Sequence, residues 1–350
     1  MDVGILGIAG SGKTTLYRAL TGQQVEGFSE KAHVGVASIP DPRLERITEF
    51  IPTKKLVFAS IQLVDIPGVP PGSDAKKLNQ LLEQIRQVDA ICLVVRCFDD
   101  GSASIDPLTD ARNMESEMIL ADLIVAESAV DRATRVARSG DTDAKARLEL
   151  LARIVPMLEE EKPIRHGEWN DAEEKIISAY GFTTAKPVLY VANVGEEDPT
   201  GKSDHVQTLI AFAQENNAVC VAVCANLEAE IAELDEADRA EMLESVGLQE
   251  AAIGPLARAA NGVLGLSTFY TAGEKEVRAW AIPADCPAPQ AAGTIHSDIE
   301  RGFIRAECYH VDDLFSLSTE KAIKDAGKMR SEGKNYAMQD GDVVNFLFNV

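Results

Sequence analysis

Near its start the sequence carries an apolar strand, a glycine-rich loop and a helix, an order that leaves few choices of fold. Residues 7–14 read Gly-Ile-Ala-Gly-Ser-Gly-Lys-Thr, which satisfies the pattern G-x-x-x-x-G-K-[ST]. The apolar run DVGILGI precedes the loop, and the helical pattern TLYRALTG follows it. Glycines let backbone N–H groups turn inward around an anion, and a helix N-terminus adds its positive end. The pattern predicts a phosphate-binding P-loop within an α/β sheet.

The P-loop pattern assigns a role to each of its polar positions. Lys13 is expected to reach the β- and γ-phosphates of a nucleotide, and the Thr14 hydroxyl is expected to bind Mg²⁺. The predicted nucleotide-binding residues of the loop are Gly10, Ser11, Gly12, Lys13, Thr14 and Thr15.

Short apolar runs alternate with helical patterns over the first two thirds of the chain. Near-continuous runs of Val, Ile and Leu between helices indicate parallel strands that are covered on both faces. The runs are DVGILGI (2–8), VFASIQLVD (57–65), AICLVVR (90–96), PVLYVAN (187–193) and AVCVAVCA (218–225). The predicted fold class is a P-loop NTPase of the α/β type, with a doubly wound, mostly parallel sheet.

The second strand of the nucleotide domain ends in Asp65-Ile66-Pro67-Gly68. Behind a P-loop, an Asp at this strand end can hold Mg²⁺ through a water, and the N–H of Gly68 can sense the γ-phosphate. Lys13, Thr14, Asp65 and Gly68 are the predicted catalytic residues.

The four residues Asn193–Glu196 read NVGE and follow a later strand, where guanine-nucleotide switches usually read Asn-Lys-x-Asp. We expect Asn193 to bond the purine and brace the P-loop, and Val194 to cover the base. The Glu196 carboxylate is one methylene longer than Asp and is misplaced for the two donors of guanine. An unpaired donor costs roughly 1–3 kcal/mol, so the loop favours adenine. A residual guanine site and a plain loop are the alternatives.

Between these strands, residues 108–181 carry two helical patterns joined by SGDT (139–142), which predicts an inserted antiparallel helical hairpin. Its tip, residues 131–153, carries six Lys and Arg against four acids. A contact with RNA phosphates is one interpretation, and a solvated helical face is the other.

Composition narrows the classes of partner and the compartment. Lys and Arg number 34 against 56 Asp and Glu, a net charge of −22, which opposes broad attraction to nucleic acid or anionic lipid. The sequence lacks a basic leader pattern and a long apolar run, so we expect neither a signal peptide nor a membrane partner. The six cysteines lack CxxC spacing, and Cys220 and Cys224 are expected on one face of a strand, too far apart for a disulfide. This usage fits a cytoplasmic protein.

Taken together, these residues resemble the YchF family of Obg-like ATPases, which belong to the TRAFAC class of P-loop proteins. Besides the nucleotide motifs, the resemblance rests on IPDPRLERI (39–47), VDAICLVVRCFDD (88–100), EAEIAELDEADR (228–239), LGLSTFYTAGEKEVRAW (264–280), PQAAGTIHSDIERGFIRAE (289–307) and GKNYAMQDGDVVNFLFNV (333–350). It implies a discontinuous nucleotide-binding domain (1–107 and 182–264), a coiled-coil insertion (108–181) and a C-terminal TGS domain with a β-grasp, ubiquitin-like fold (265–350). It also implies an ATP-preferring hydrolase that binds GTP more weakly and acts at the ribosome or its large subunit.

The sequence departs from the family in three places. The family loop reads like NVGKST, and residues 10–15 lack the Asn on which potassium-assisted hydrolysis depends. The first switch reads GFSEKAHVG (27–35), where Ser29 matches the Mg²⁺-binding Thr. The segment after the second switch reads VPPGSDAKKLNQ (69–80), with Val69 where many GTPases place a water-orienting Gln. These changes predict slow intrinsic turnover that a partner accelerates.

Three functions remain open from the sequence. The first is an ATP-hydrolysing switch, the second a GTPase of the same architecture, and the third a nucleotide-responsive ribosome-binding module with negligible hydrolysis. A small-molecule kinase is disfavoured because the sequence offers a base-recognition loop without a lid-like arginine segment. His33 is near the first switch, and we expect it to be a loop residue without a catalytic role.

Overall fold

The computed structural model describes residues 2–23, 32–67, 83–101, 104–138 and 140–349. Ser29, Gly68, Val69 and the rest of segment 69–80 lie outside these ranges. The strands within them are β1 (Asp2–Leu6), β2 (His33–Ser38), β3 (Leu56–Val57), β4 (Ser60–Asp65), β5 (Ala90–Cys97), β6 (Val188–Val194), β7 (Val219–Val223), β8 (Leu266–Thr271), β9 (Val277–Pro283), β10 (Phe303–His310), β11 (Arg330–Glu332) and β12 (Asp342–Phe348).

The helices that we label are, in chain order, α1 (Lys13–Thr21), α2 (Pro42–Phe50), α3 (Pro107–Ala137), α4 (Thr142–Glu159), α5 (Asp171–Tyr180), α6 (Asp204–Glu215), α7 (Ala225–Glu233), α8 (Glu236–Ser245), α9 (Ile253–Val263), α10 (Ala288–Ile295), α11 (Ser297–Arg301), α12 (Val311–Leu317) and α13 (Glu320–Asp325). A 3₁₀ turn covers Ile164–His166. No helix among the described residues combines the length and the apolar character needed to cross a bilayer.

The first sheet has the strand order β2-β4-β1-β5-β6-β7 in the described part of the chain. β1 pairs in parallel with β4 and β5, and β6 pairs in parallel with β5 and β7. Every residue of β5 and β6 is buried, as expected for strands that are covered on both faces. The predicted α/β fold class is confirmed.

The register of this sheet brings the ends of its strands to one edge. Ile5 is opposite Asp65, and Cys97 is opposite Val194. Because parallel strands end at the same edge, the P-loop, Asp65 and the NVGE loop converge there, which is where open α/β sheets bind their ligands. β7 ends at Val223, so Cys224 lies beyond the strand on which the sequence prediction placed it.

α3 and α4 form the antiparallel hairpin that the spacing predicted. Its apolar face is buried in one cluster, which includes Ile119, Ala126, Leu151, Ile154 and Leu158. Asp141 ends the turn by accepting a hydrogen bond from the backbone N–H of Ala144 at 2.7 Å, which is the usual role of an Asp N-cap.

Two buried acids join α3 to the polypeptide around β6. Asp122 is fully buried and accepts hydrogen bonds from the backbone N–H and the hydroxyl of both Thr183 and Thr184, at 2.7–3.1 Å. Glu115 accepts hydrogen bonds from the hydroxyl of Tyr190 and the guanidinium of Arg165. These bonds fix the base of the hairpin to the strand that carries the NVGE loop.

The chain separates into two compact units: residues 1–36 with 62–252, and residues 37–61 with 253–350. In the second unit the strand order is β11-β10-β12-β8-β9-β3 within the described residues. Segment 37–61, which the sequence prediction assigned to the nucleotide-binding domain, therefore belongs with the C-terminal residues. The prediction of three domains with their boundaries stays a prediction.

Candidate nucleotide-binding site

The loop between β1 and α1 adopts the conformation that its glycines allow. Gly10 and Gly12 have φ angles of +84° and +85°, in the left-handed region that L side chains rarely adopt. A Cβ on Gly12 would lie 2.0 Å from Nδ2 of Asn193, so a larger residue is excluded there. Gly12 caps α1 without a side-chain bond, which leaves the first N–H groups of α1 available for an anion.

Lys13, Thr14 and Asp65 meet at the start of α1. The Thr14 hydroxyl donates a hydrogen bond to Oδ2 of Asp65 at 3.0 Å. Burial lowers the pKa of the Lys13 ammonium, and the Asp65 charge opposes that shift. Burial likewise raises the pKa of the Asp65 carboxyl, against the Thr14 hydrogen bond and the Lys13 charge. The Lys13 ammonium and the Asp65 carboxylate thus lie close together in a partly desolvated site. Charges in such a site interact strongly with a charged ligand.

The donors at this point fit a magnesium ion. Oδ1 of Asp65 is buried and has no hydrogen-bond partner among the described residues. The hydroxyl and carboxylate oxygens are the hard ligands that Mg²⁺ prefers. The described residues contain no cluster of three or more His, Cys, Asp or Glu that could enclose a metal. Mg²⁺ beside a nucleotide is commonly held by one or two side chains, with phosphates and waters as its other ligands.

Asn193 joins three segments of the site through one buried amide. Its Nδ2 donates to the backbone carbonyl of Ser11 at 2.8 Å, and its Oδ1 accepts from the backbone N–H of Ala225 at 3.0 Å. The side chain therefore braces the P-loop as the sequence analysis expected, and it also fixes the start of α7. One amide hydrogen and one lone pair remain for a base.

A pocket of about 660 Å³ opens beside these groups. Its lining comprises Ala9, Gly10, Gly12, Lys13, Thr14, Thr15, Phe98, Asp99, Asn193, Val194, Gly195, Glu196, Glu197 and Asn226. The P-loop lines one part of the pocket and the NVGE loop lines another, so the structure brings together most of the predicted nucleotide-binding residues. Ser11 is buried behind this lining.

Three acidic residues follow one another in the base loop, and they differ in their contacts. Asp198 accepts hydrogen bonds from the backbone N–H groups of Lys202 and Ser203 at 2.7 and 2.8 Å, so it stabilises the loop itself. The Glu197 carboxylate lies against Gly195, where an added Cβ would be 2.2 Å from it. Glu196 and Glu197 are both exposed and line the pocket, and Glu196 is the one at the NVGE position where guanine-binding loops carry Asp.

Four lining residues lie outside the P-loop and NVGE motifs, and sequence reasoning missed them. Phe98 and Asp99 follow β5, Glu197 follows the NVGE motif, and Asn226 is the second residue of α7. Their signal was positional, because residues just after the carboxyl ends of neighbouring parallel strands meet at the ligand edge. His33 is the first residue of β2 and not a loop residue, which corrects the expectation from the sequence.

Known proteins match the chain over its full length. It is 40% identical over 365 residues to the "Ribosome-binding ATPase YchF" of Bacillus subtilis (strain 168), with 100% of both chains covered. The chain belongs to the YchF family. The protein of the same name from Escherichia coli O157:H7 is 40% identical over 359 residues, with 99% of both chains covered. The family resemblance inferred from the sequence is confirmed.

Two family models match separate parts of this YchF-family chain. The model described as "50S ribosome-binding GTPase" (MMR_HSR1) matches residues 2–127. The model YchF-GTPase_C, described as "Protein of unknown function (DUF933)", matches residues 266–349.

Solved structures agree with the observed fold. The Schizosaccharomyces pombe YchF GTPase matches with a TM-score of 0.86 at 28% identity, and the match covers 99% of this chain and 97% of that one. A GTP-binding protein from Pyrococcus horikoshii OT3 matches with a TM-score of 0.64 at 16% identity over 100% of both chains, which supports the fold alone.

Proposed function

We propose that this YchF-family protein is a Mg²⁺-dependent nucleoside triphosphatase that prefers ATP to GTP and works as a nucleotide switch on ribosomes. The observation that carries the proposal is the amide of Asn193, which holds the base loop with Glu196 against a P-loop that presents Lys13 and Thr14. Relatives whose printed names are ribosome-binding ATPases cover the full chain, which supports the same activity here.

The preference for adenine rests on the acids of the base loop. Asp198 is engaged with the backbone of its own loop, so it cannot replace the Asp that guanine-binding loops supply. Glu196 offers a carboxylate on a longer and exposed side chain. A guanine with unpaired N1–H and 2-amino donors loses roughly 1–3 kcal/mol for each, whereas adenine carries neither donor at that place. The relatives' names include both ATPase and GTPase, so base choice needs a direct test.

Glu196→Asp is expected to move the ratio of ATP to GTP affinity toward GTP by about tenfold, the equivalent of one recovered hydrogen bond. The shorter carboxylate then reaches at least one of the two guanine donors. Isothermal titration with each nucleotide measures the ratio. Glu215→Asp, an equal change on an exposed acid that does not line the pocket, is the matched control and is expected to leave the ratio unchanged. A ratio that is the same in wild type and Glu196→Asp contradicts this account of base choice.

The catalytic roles follow from the charges around the phosphates. Lys13 neutralises charge on the β- and γ-phosphates, and Thr14 and Asp65 hold Mg²⁺, Asp65 through a water. Bound Mg²⁺ supplies further positive charge to the transferred phosphoryl group. We also assign the N–H of Gly68 to sensing the γ-phosphate and Ser29 to the metal, although both lie outside the described residues. None of these residues orients the attacking water, so we expect slow intrinsic hydrolysis.

The ribosome is the proposed partner, and the hairpin tip is its proposed contact with RNA. Arg132, Arg135, Arg138, Lys145 and Arg147 are exposed, and no ion pair engages them among the described residues. Arg153 differs, because it bonds Glu173 at 2.5 Å and stacks on Trp169. Five exposed cations at the hairpin tip of a strongly acidic protein favour RNA phosphates over protein acids. A ribosome-bound role implies a cytoplasmic location.

Phosphate release from ATP and from GTP, with and without purified ribosomes, tests the proposed activity. We expect ATP turnover above that of Lys13→Ala, and a further increase when ribosomes are present. Turnover equal to that of Lys13→Ala under both conditions would favour a binding module without hydrolysis. Faster turnover of GTP than of ATP would favour a GTPase.

A further inference from the structure

The polypeptide between the two switch motifs takes an unusual path. It leaves the first compact unit after Val36, contributes residues 37–61 to the second unit, and returns at Gln62. β2 continues through the first crossing and β4 through the second, so neither crossing is a loose loop. Backbone bonding continues just beyond the strands, since the N–H of Ile39 donates to the carbonyl of Ala59 at 2.8 Å.

Inside the second unit this inter-switch segment (37–61) supplies a strand of the C-terminal sheet. β3 pairs in parallel with β9, with Leu56 opposite Val277 and Val57 opposite Arg278. The N–H of Lys54 donates to the carbonyl of Glu274 at 3.1 Å, and the N–H of Val277 donates to the carbonyl of Lys55 at 2.9 Å. Backbone pairing of this kind does not slide without breaking the sheet.

A polar cluster fastens the start of α2 to the same unit. The Tyr270 hydroxyl donates to Oδ2 of Asp41 at 2.5 Å, and Nη1 of Arg43 donates to Oδ2 of Asp340 at 2.6 Å. Asp340 also accepts from the backbone N–H of Thr268 at 2.8 Å. Hydrogen bonds to charged groups are among the stronger polar contacts in proteins, so this cluster fixes the start of α2 within the second unit.

The far end of α2 is held by aromatic contacts. The Arg46 guanidinium carbon lies 4.2 Å from the centroid of the Phe315 ring, and the rings of Phe50 and Phe315 are 5.9 Å apart. α2 is therefore fixed at both ends to residues of the C-terminal unit.

The strand that leaves the inter-switch segment, β4, ends at Asp65 in the nucleotide site. β4 runs from Ser60, inside the second unit, to Asp65, which accepts the Thr14 hydrogen bond beside the P-loop. A strand rises about 3.3 Å per residue and is stiff over such a length. β4 is one continuous strand, so a change in the backbone at Asp65 reaches the anchored segment through a single element.

We propose that the inter-switch segment is a mechanical link by which nucleotide binding at Asp65 changes the C-terminal unit, and by which ligands of that unit change nucleotide affinity. The proposal rests on the proposed nucleotide switch and adds the route by which its state is read. The coupling is reciprocal, because linked binding equilibria alter one another by the same factor. The segments 39–47, 264–280 and 333–350, which the nucleotide motifs leave unexplained, gain a common role as the anchor of this link.

Hydrogen exchange of the full chain tests the link, with Mg²⁺ and the non-hydrolysable analogue AMP-PNP as the probe. In wild type we expect the analogue to slow exchange in residues 266–283 by about fivefold, the lower end of usual coupling between sites. Tyr270→Phe removes only the hydroxyl that holds Asp41, and we expect it to abolish most of that slowing while the P-loop stays protected. Arg43→Gln, which loses the Asp340 bond, is expected to act in the same way.

Tyr336→Phe is the matched control. Its hydroxyl donates to Oδ2 of Asp342 at 2.7 Å within the C-terminal unit, without contacting the inter-switch segment. We expect the nucleotide effect to persist in this variant. The link is refuted if AMP-PNP binds, as titration measures, but leaves exchange in 266–283 unchanged. It is also refuted if Tyr336→Phe removes the effect as fully as Tyr270→Phe. Failure of AMP-PNP to bind overturns the proposed function instead.

Discussion

Replacing Lys13 by alanine is expected to lower ATP turnover by about 100- to 1,000-fold, in the range seen when one charged or hydrogen-bonding group is removed from a transition state. Lys13 is partly desolvated at the start of α1, where the Asp65 charge helps to keep it protonated. Alanine leaves the phosphate charge without its side-chain cation while the N–H groups of the loop remain. Phosphate release under saturating ATP and Mg²⁺ measures the loss.

Lys202→Ala is the control for Lys13→Ala because it changes the net charge equally. Lys202 is exposed, follows the base loop and does not line the pocket. Turnover in this variant is expected to match wild type. If the two variants lose activity to the same degree, the effect is one of overall charge, and the role of Lys13 at the phosphates is wrong.

Replacing Asp122 by alanine is expected to destabilise the fold by about 3 to 5 kcal/mol, the usual cost of removing one partner from a buried, hydrogen-bonded charged group. Asp122 is fully buried, and the N–H groups and hydroxyls of Thr183 and Thr184 all point at its carboxylate. Urea denaturation followed by Trp169 fluorescence in a Trp280→Phe background measures the change. Asp131→Ala, an exposed acid on the same helix, is the control and is expected to have little effect.

Asp122→Ala is also expected to change how the free energy of unfolding depends on pH. Burial raises the pKa of the Asp122 carboxyl, and its four hydrogen bonds only partly oppose the shift. A raised folded-state pKa means that the folded chain binds the proton more tightly than the unfolded chain, so wild type gains stability as pH falls between the ordinary Asp value and the folded value. Asp122→Ala lacks that gain. The stability gap between wild type and variant should therefore widen toward acid pH, and a gap that narrows would contradict the assignment.

Local patterns explain how much of this architecture the sequence could predict. The P-loop, the DxPG strand end and the NVGE loop each combine an apolar strand with a motif just after it, so the sequence could place each motif at the end of a strand. The paired helices of the hairpin were predictable because their apolar residues recur every three or four positions. These signals extend over a few residues, and over that range propensity and periodicity determine the secondary structure.

The features that escaped prediction depend on contacts between distant residues. Asp122 interrupts an apolar face with an acid, and only Thr183 and Thr184, some sixty positions away, make that burial tolerable. Segment 37–61 lies between two parts of the first unit in sequence, which favours placing it in that unit. Its Arg43 instead donates a hydrogen bond to Asp340, 297 positions away. Phe98 and Asn226 line the pocket without belonging to any motif. No local pattern encodes such pairings.

The central claim is that the pocket formed by the P-loop and the NVGE loop takes adenine in preference to guanine. Displacement of a bound fluorescent ATP analogue by unlabelled ATP and GTP, with Mg²⁺ present, tests it on the wild-type chain. We predict that ATP displaces the analogue at a concentration at least about tenfold lower than GTP, as one or more unpaired guanine donors require. Displacement by GTP at an equal or lower concentration than ATP would contradict the claim.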